Sequence, residues 1–239
     1  MSEWKQKRFW TDSTVMTSEH GYSVLLDGRS VKTPAKTAFL VPTRALAEAV
    51  AKEWAAQEDT IDPRTMPYTR TANAAIDKVA AQHGEVADLL ADYGDTDLLC
   101  YRAEHPDGLV DRQADLWDPA LNWASDALGA RLEPRSGLMH APQPAGALAG
   151  LRARVHKLSN FELAAFHDLV SLTGSLVLGF AAMHDWKSPD EIWDISRLDE
   201  RWQEEHWGLD EEAAEQAAIK RTAFHHAKRF YDACQPLSA

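Results

Sequence analysis

The sequence predicts an α+β fold that is predominantly α-helical, with a small N-terminal α/β domain and a C-terminal helical bundle. Tyr22, Val24 and Leu26 recur at every second position and are followed by Asp27-Gly28, a strong signal for a two-residue β-hairpin turn. Beyond residue 84 the apolar residues recur at helical spacing in one segment after another. Residues 169–183 carry no charge at all, which is typical of a helix buried on every side.

The N-terminal elements follow from short local signals. Residues 29–33 are predicted to return as the second strand of the hairpin, and 39–41 form a further short strand that ends at a proline. Thr43 is expected to cap a helix that continues to about residue 57. A proline-containing loop and a helix over about 68–82 complete a domain that we assign to residues 1–84.

The C-terminal domain, residues 85–239, reads as a succession of helices. The segment 159–183 is expected to be a single helix at its centre, because about 20 apolar residues are needed to cross a bilayer and the uncharged stretch is shorter. The segment 130–146 is either a long loop or a short excursion of strand. The helices are predicted at about 85–101, 109–129, 145–157, 160–184, 189–206 and 210–234.

Charge and composition restrict the partners. The chain of 239 residues carries a net charge of −12, which disfavours nucleic acid as a partner. Its two cysteines have no metal-ligand spacing, and its start lacks a signal peptide or transit leader. We therefore expect an intracellular protein without a membrane span, with a monomer favoured.

Signatures of catalysis are missing. The sequence has no glycine-rich phosphate loop, no HExxH motif and no GxSxG nucleophile elbow. His225 and His226 are adjacent, so on a helix they point about 100° apart instead of sharing a face as metal ligands would. Cys100 is read as a small buried hydrophobe. We expect no cofactor, no metal and no enzymatic activity, with an unrecognised carboxylate and histidine site as the enzymatic alternative.

An acidic helix from Asp190 to Trp207 stands out. Between residues 185 and 215 there are twelve carboxylates against three cations. Spacing at 100° per residue places Asp199 at the border of the apolar stripe and directs Trp193 outward.

This helix is open to two interpretations. It is either a solvated acidic helix with one stray aromatic, or a protein-binding surface in which aromatic anchors are rimmed by carboxylates. A carboxylate at the edge of an apolar stripe is costly unless a partner compensates it, so Asp199 is the first candidate. An ion pair with Arg197 or Arg201 would make it merely structural. The candidate protein-binding residues are Trp193, Asp199, Glu200, Gln203, Glu204 and Trp207.

Six segments, in order along nearly the whole chain, together resemble the ATP12 family, the assembly chaperones of the F1 sector of ATP synthase. They are LDGRSVKTP (26–34), VPTRALAEAVAKEWAAQ (41–57), IDPRTMPYTRTANAAID (61–77), DTDLLCYRA (95–103), WDP (117–119) and SRLDERWQEEHWGLDEEA (196–213).

The resemblance implies a two-domain, non-catalytic chaperone that binds the free F1 α subunit and shields its interface until the β subunit arrives. It also implies that an acidic residue in the RL-acidic block has a functional role, and Asp199 occupies that place. With the resemblance, the expected location is the cytoplasm of a bacterium or, for a trimmed eukaryotic form, the mitochondrial matrix. A scaffold module of some other complex stays open as a further alternative.

Overall fold

The computed structural model describes residues 7–137 and 139–236, which fall into two compact units. The first unit comprises the described parts of Met1–Gln82 and Arg229–Ala239 together with Ser159–Ala165. The second comprises His83–Leu158 and Phe166–Lys228. The fold is α+β and predominantly helical, as predicted from the sequence. The division into domains of 1–84 and 85–239 stays a prediction.

A small antiparallel sheet forms one side of the first unit. Its strands are β1 (Ser13–Ser18), β2 (Gly21–Leu26) and β3 (Arg29–Ser30), in the order β1-β2-β3. Asp27 and Gly28 both have positive φ, 46° and 79°, as a type I′ turn requires. The predicted hairpin is therefore confirmed, although its returning strand is shorter than the expected 29–33.

Two helices cover this sheet within the first unit. Helix α1 (Arg44–Ala55) begins where the sequence predicts, because the Thr43 hydroxyl accepts a hydrogen bond from the Leu46 N–H at 3.1 Å. Helix α2 (Pro67–Asp77) follows a short 3₁₀ turn, Pro63–Thr65. Their buried stripes and the inner face of the sheet form one apolar core, which includes Trp10, Val24, Phe39, Val41, Leu46, Val50, Ala72, Ala165 and Phe230.

The second unit is built mainly of helices. A short parallel pair joins β4 (Tyr101–Arg102) to β5 (Arg135–Ser136), which confirms the excursion of strand within 130–146. No helix within residues 7–137 or 139–236 has the length and apolar character that a membrane crossing needs. The helices that follow α2 are α3 (His83–Ala91), α4 (Asp107–Leu128), α5 (Ala145–Val155), α6 (Asn160–Thr173), α7 (Leu176–Met183), α8 (Pro189–Ser196), α9 (Leu198–Trp207) and α10 (Glu211–Cys234). The first residues of α6 and the last residues of α10 belong to the first unit, and all other residues of these helices belong to the second.

The apolar segment expected as one helix over 160–184 is two helices, so that prediction is wrong. Gly174 takes a positive φ of 68°, and the Ser175 hydroxyl caps α7 by accepting from the Leu178 N–H at 3.0 Å. The buried carboxylate of Asp97 accepts from the Val177 N–H at 3.0 Å and so satisfies another free donor at this helix start. All residues of α7 from Leu176 to Ala182 are buried, and the helix lies in the core of the second unit.

Candidate protein-binding site

The acidic segment begins at a fully formed capping box. The Ser188 hydroxyl accepts from the Glu191 N–H at 3.3 Å, and the Glu191 carboxylate accepts from the Ser188 N–H at 3.0 Å. The Ser188 hydroxyl also donates to the Glu191 carboxylate at 2.7 Å. This bond and the one from the Ser188 N–H stabilise the charged carboxylate and lower the pKa of Glu191. The start of α8 is therefore fixed as the sequence predicts.

The prediction of a single helix over 189–206 is wrong, because the helix is interrupted at Arg197 and forms two helices, α8 and α9. Angles counted along one continuous helix do not hold across this break. Trp193 is only 4% exposed and packs against the ring of Phe224, with 5.8 Å between ring centroids. The prediction that Trp193 projects outward is corrected accordingly, and any part it has in partner binding is indirect.

Asp199 lies half-buried in the first turn of α9, where a negative charge suits the helix dipole. Its carboxylate accepts a hydrogen bond of 2.7 Å from the side-chain amide of Gln113, on α4. The oxygen of that amide accepts from the Ala103 N–H at 2.8 Å, which sets which end of the amide faces Asp199. Asp199 is thus held in place by a neutral, buried donor.

The two arginines considered as internal partners of Asp199 pair elsewhere. Arg197 contacts Glu200 at 2.6 Å and Arg201 contacts Asp194 at 2.8 Å. In the part of the chain that the structure describes, no lysine, arginine or histidine nitrogen lies within 4.0 Å of the Asp199 carboxylate. The half-buried carboxylate of Asp199 therefore has no ion-pair partner among the described residues, and a cationic group of another protein could pair with it.

Helix α9 is clamped to α4 through Trp202. The guanidinium of Arg112 lies 4.9 Å from the centre of the Trp202 ring and bonds both carboxylate oxygens of Glu205, at 2.9 and 2.8 Å. The edge of the same ring approaches Gly108 so closely that a Cβ there would lie 3.0 Å from it. The contact leaves no space for a larger residue at this position and sets the orientation of α9.

A groove of about 360 Å³ lies beside this clamp, between α4, α8 and α9. Leu198 and the partly exposed Leu116 contribute its apolar surface, and its rim carries both cations and carboxylates. Sequence reasoning missed Gln113, Arg112 and Leu116 because they belong to α4, far from the acidic segment. Nothing in the α4 sequence alone marks these residues. The groove is lined by Arg112, Asp115, Leu116, Asp194, Leu198, Arg201 and Glu205.

The C-terminal end of α9 presents apolar side chains to solvent. Trp207 is 87% exposed and Leu209, which sequence reasoning missed, is 65% exposed. Between them Gly208 ends the helix with a positive φ of 92°. Gln203 is exposed and Glu204 half-buried on the same helix. A large exposed aromatic residue rimmed by carboxylates is a feature of protein-binding surfaces.

Groups suited to other chemistry are scarce among the described residues. They include no cluster of three His, Cys, Asp or Glu side chains that could hold a metal ion. Burial, reinforced by the charge of Asp97, raises the pKa of the Cys100 thiol to about 12. Burial also raises the pKa of Cys234, so both thiols stay protonated at neutral pH.

Comparison with known proteins identifies the family. A family profile described as "ATP12 chaperone protein" matches residues 7–125. The crystal structure of Atp12 from Paracoccus denitrificans is 46% identical, with a TM-score of 0.95 over 98% of this chain and 100% of that chain. A protein of Agrobacterium tumefaciens is 40% identical, with a TM-score of 0.91 over 96% of this chain and 86% of that one.

A more distant relative is the mitochondrial protein atp12 of Schizosaccharomyces pombe. It is 26% identical over 222 residues, which cover 87% of this chain and 76% of the relative. This relative and the bacterial structures resemble the chain in sequence, and the bacterial structures also share its fold. The chain belongs to the ATP12 family of chaperones, which serve the assembly of ATP synthase.

Proposed function

We propose that this chaperone binds the free F1 α subunit of ATP synthase and covers its β-facing interface until the β subunit replaces it. An unassembled α subunit exposes apolar surface that the ring normally buries, and surfaces of that kind drive aggregation. The chaperone acts by equilibrium binding and makes or breaks no covalent bond. An ordinary interface of roughly 1,600 Å² gives useful affinity and still permits displacement by a better competitor.

The single observation that carries the proposal is the half-buried carboxylate of Asp199, which Gln113 orients and which has no ion-pair partner within residues 7–137 and 139–236. Such a group is pre-organised for a basic side chain of a partner, and orientation before binding reduces the entropic cost of association. Exposed Trp207 on the same helix supplies an apolar anchor. We therefore place the client-binding surface on α9 and its acidic surroundings.

The experiment that tests this is a binding titration of purified F1 α subunit against the wild type and Asp199→Lys, with the β subunit as a specificity control. Replacing the carboxylate by a cation removes one attraction and adds a repulsion. For a partly buried pair we expect a loss of about 2 kcal/mol, or roughly thirtyfold in Kd.

Asp126→Lys is the matched control, because Asp126 is an exposed carboxylate of the same unit, on α4, and undergoes the same change of charge. We expect it to bind the α subunit as the wild type does. If Asp199→Lys binds equally well while circular dichroism shows a folded protein, the assignment of Asp199 is wrong. Equal affinity of the wild type for the α and β subunits would contradict the proposed client.

A further inference from the structure

A second groove, of about 550 Å³, lies wholly within the first unit. It is lined by β3 and the loop after it on one side and by α1, α2 and the loop between them on the other. Its apolar lining is formed by Leu26, Val31, Trp54, Ile61 and Met66, and by Phe9, which is 58% exposed. The volume of the groove is in the range of known ligand pockets, and its apolar lining suits an apolar side chain.

Four cations border this apolar lining: Arg29, Lys32, Lys36 and Arg70. All four are exposed, and none forms an ion pair with a carboxylate in the described part of the chain. None of the described residues that line the groove is Asp or Glu. The groove therefore combines an apolar interior with a positive edge.

The edge of this groove is positively charged, whereas the protein as a whole is negatively charged. Residues 1–82 contain eleven Lys and Arg against ten Asp and Glu, whereas residues 83–239 contain fourteen against twenty-seven. The two parts therefore carry net charges of +1 and −13. Arg29 and Arg70 interact with Asp27 and Glu53 only at distances beyond 4.0 Å. Exposed cations without a closer carboxylate in so acidic a chain favour a partner that supplies one.

The surroundings of the groove argue against a phosphate group as the ligand. In the first turn of α2, the N–H groups of Tyr68 and Thr69 donate to the carboxylate of Glu53 at 2.6 and 2.8 Å. That helix start therefore has no free donors for an anion. The lining residues that the structure describes include no glycine and form no tight backbone cradle of the kind that binds phosphate.

We propose that this groove binds an extended segment of a partner protein in which one bulky apolar side chain is flanked by Asp or Glu residues. The apolar side chain enters between Val31 and Met66, and the flanking carboxylates pair with the cations of the edge. The site is separate from the surface around Asp199. It rests on the first unit alone, so it does not depend on the identity of the client.

The test uses the full-length protein and a short fluorescein-labelled peptide of Asp and Leu residues with one central Phe. Fluorescence anisotropy at about 50 mM NaCl should show saturable binding that weakens as salt is added, because exposed charges are screened. Reversing two edge charges together, Lys32→Glu with Arg70→Glu, should weaken binding by at least about tenfold.

Lys52→Glu with Lys78→Glu is the matched control, since both lysines are exposed cations of the first unit that do not line the groove. This variant should bind the peptide within about twofold of the wild type. Phe9→Ser tests the apolar contribution without a change of charge, and it should also weaken binding. Circular dichroism and urea unfolding establish that each variant is folded.

Several results would overturn the proposal. One is an absence of peptide binding to the wild type, and another is equal binding of a peptide with Lys in place of Asp. Displacement of the peptide by ATP would identify the groove as a site for small anions. A wild-type dimer that dissociates in the Lys32→Glu, Arg70→Glu variant would identify a second copy of the chain as the occupant.

Discussion

The hydrogen-bond relay through Gln113 links the stability of the second unit to its proposed function. Gln113 is 2% exposed, and its amide joins the Ala103 N–H at 2.8 Å to the Asp199 carboxylate at 2.7 Å. Gln113→Met keeps nearly the same volume and removes both bonds. The substitution therefore tests the relay without opening a cavity.

The expected cost follows from these two contacts. Leaving the half-buried Ala103 N–H without a partner costs about 1 kcal/mol, and losing a bond to a charged acceptor costs about 1.5 kcal/mol. Asp199 is partly accessible to water, which recovers some of the second contribution. We therefore expect the free energy of unfolding to fall by roughly 2 kcal/mol.

The assay is urea unfolding followed by tryptophan fluorescence, combined with the α-subunit titration. Gln113→Met should unfold at lower urea and should also bind the α subunit more weakly, because Asp199 is no longer oriented. Asp199→Asn is the control: its side-chain oxygen still accepts from Gln113, so its stability should change by less than about 1 kcal/mol. An unchanged unfolding midpoint for Gln113→Met would refute the reasoning.

Two further predictions concern other parts of the second unit. Trp207→Ala should leave stability within about 0.5 kcal/mol, since the side chain is 87% exposed, and should weaken α-subunit binding by about tenfold or more in the same titration. Burial raises the pKa of Asp97 from its ordinary value of 3.8 to about 6, so the contribution of Asp97 to stability is full below pH 3.8 and is lost as pH rises through about 6. Relative to the wild type, Asp97→Asn should therefore gain stability between pH 4 and pH 7, and a difference that stays constant in urea unfolding across that range would count against this.

The features predicted correctly from the sequence are those written in a few neighbouring residues. The turn at Asp27-Gly28 and the cap at Thr43 each depend on groups within four residues of one another. Such signals act locally, and no tertiary contact is needed to interpret them.

The breaks at Gly174 and Arg197 were not predicted, because distant contacts stabilise them. The start of α7 is completed by Asp97, 80 residues away from its partner Val177. Beyond Arg197, α9 takes its direction from the contact of Trp202 with α4. Apolar periodicity alone reads through such interruptions, since both sides of each break are buried.

The candidate site also combines a residue that the sequence pattern singled out with a distant residue that it did not. Asp199 was singled out by a stripe counted across the break at Arg197, and the structure places it half-buried in the first turn of α9, so its role in binding stays a prediction. Its partner Gln113 is 86 residues away in the sequence and carries no local signal. The outward direction of Trp193 was wrong because it was calculated across a helix that ends at Ser196.

The central claim is that the protein keeps an unassembled α subunit in solution through the surface around Asp199. Light scattering from purified F1 α subunit, incubated with equimolar chaperone, tests it most directly. We predict that the wild type and Asp126→Lys suppress scattering and that Asp199→Lys suppresses it far less. If the α subunit aggregates at the same rate with and without the wild-type chaperone, the proposed function is wrong.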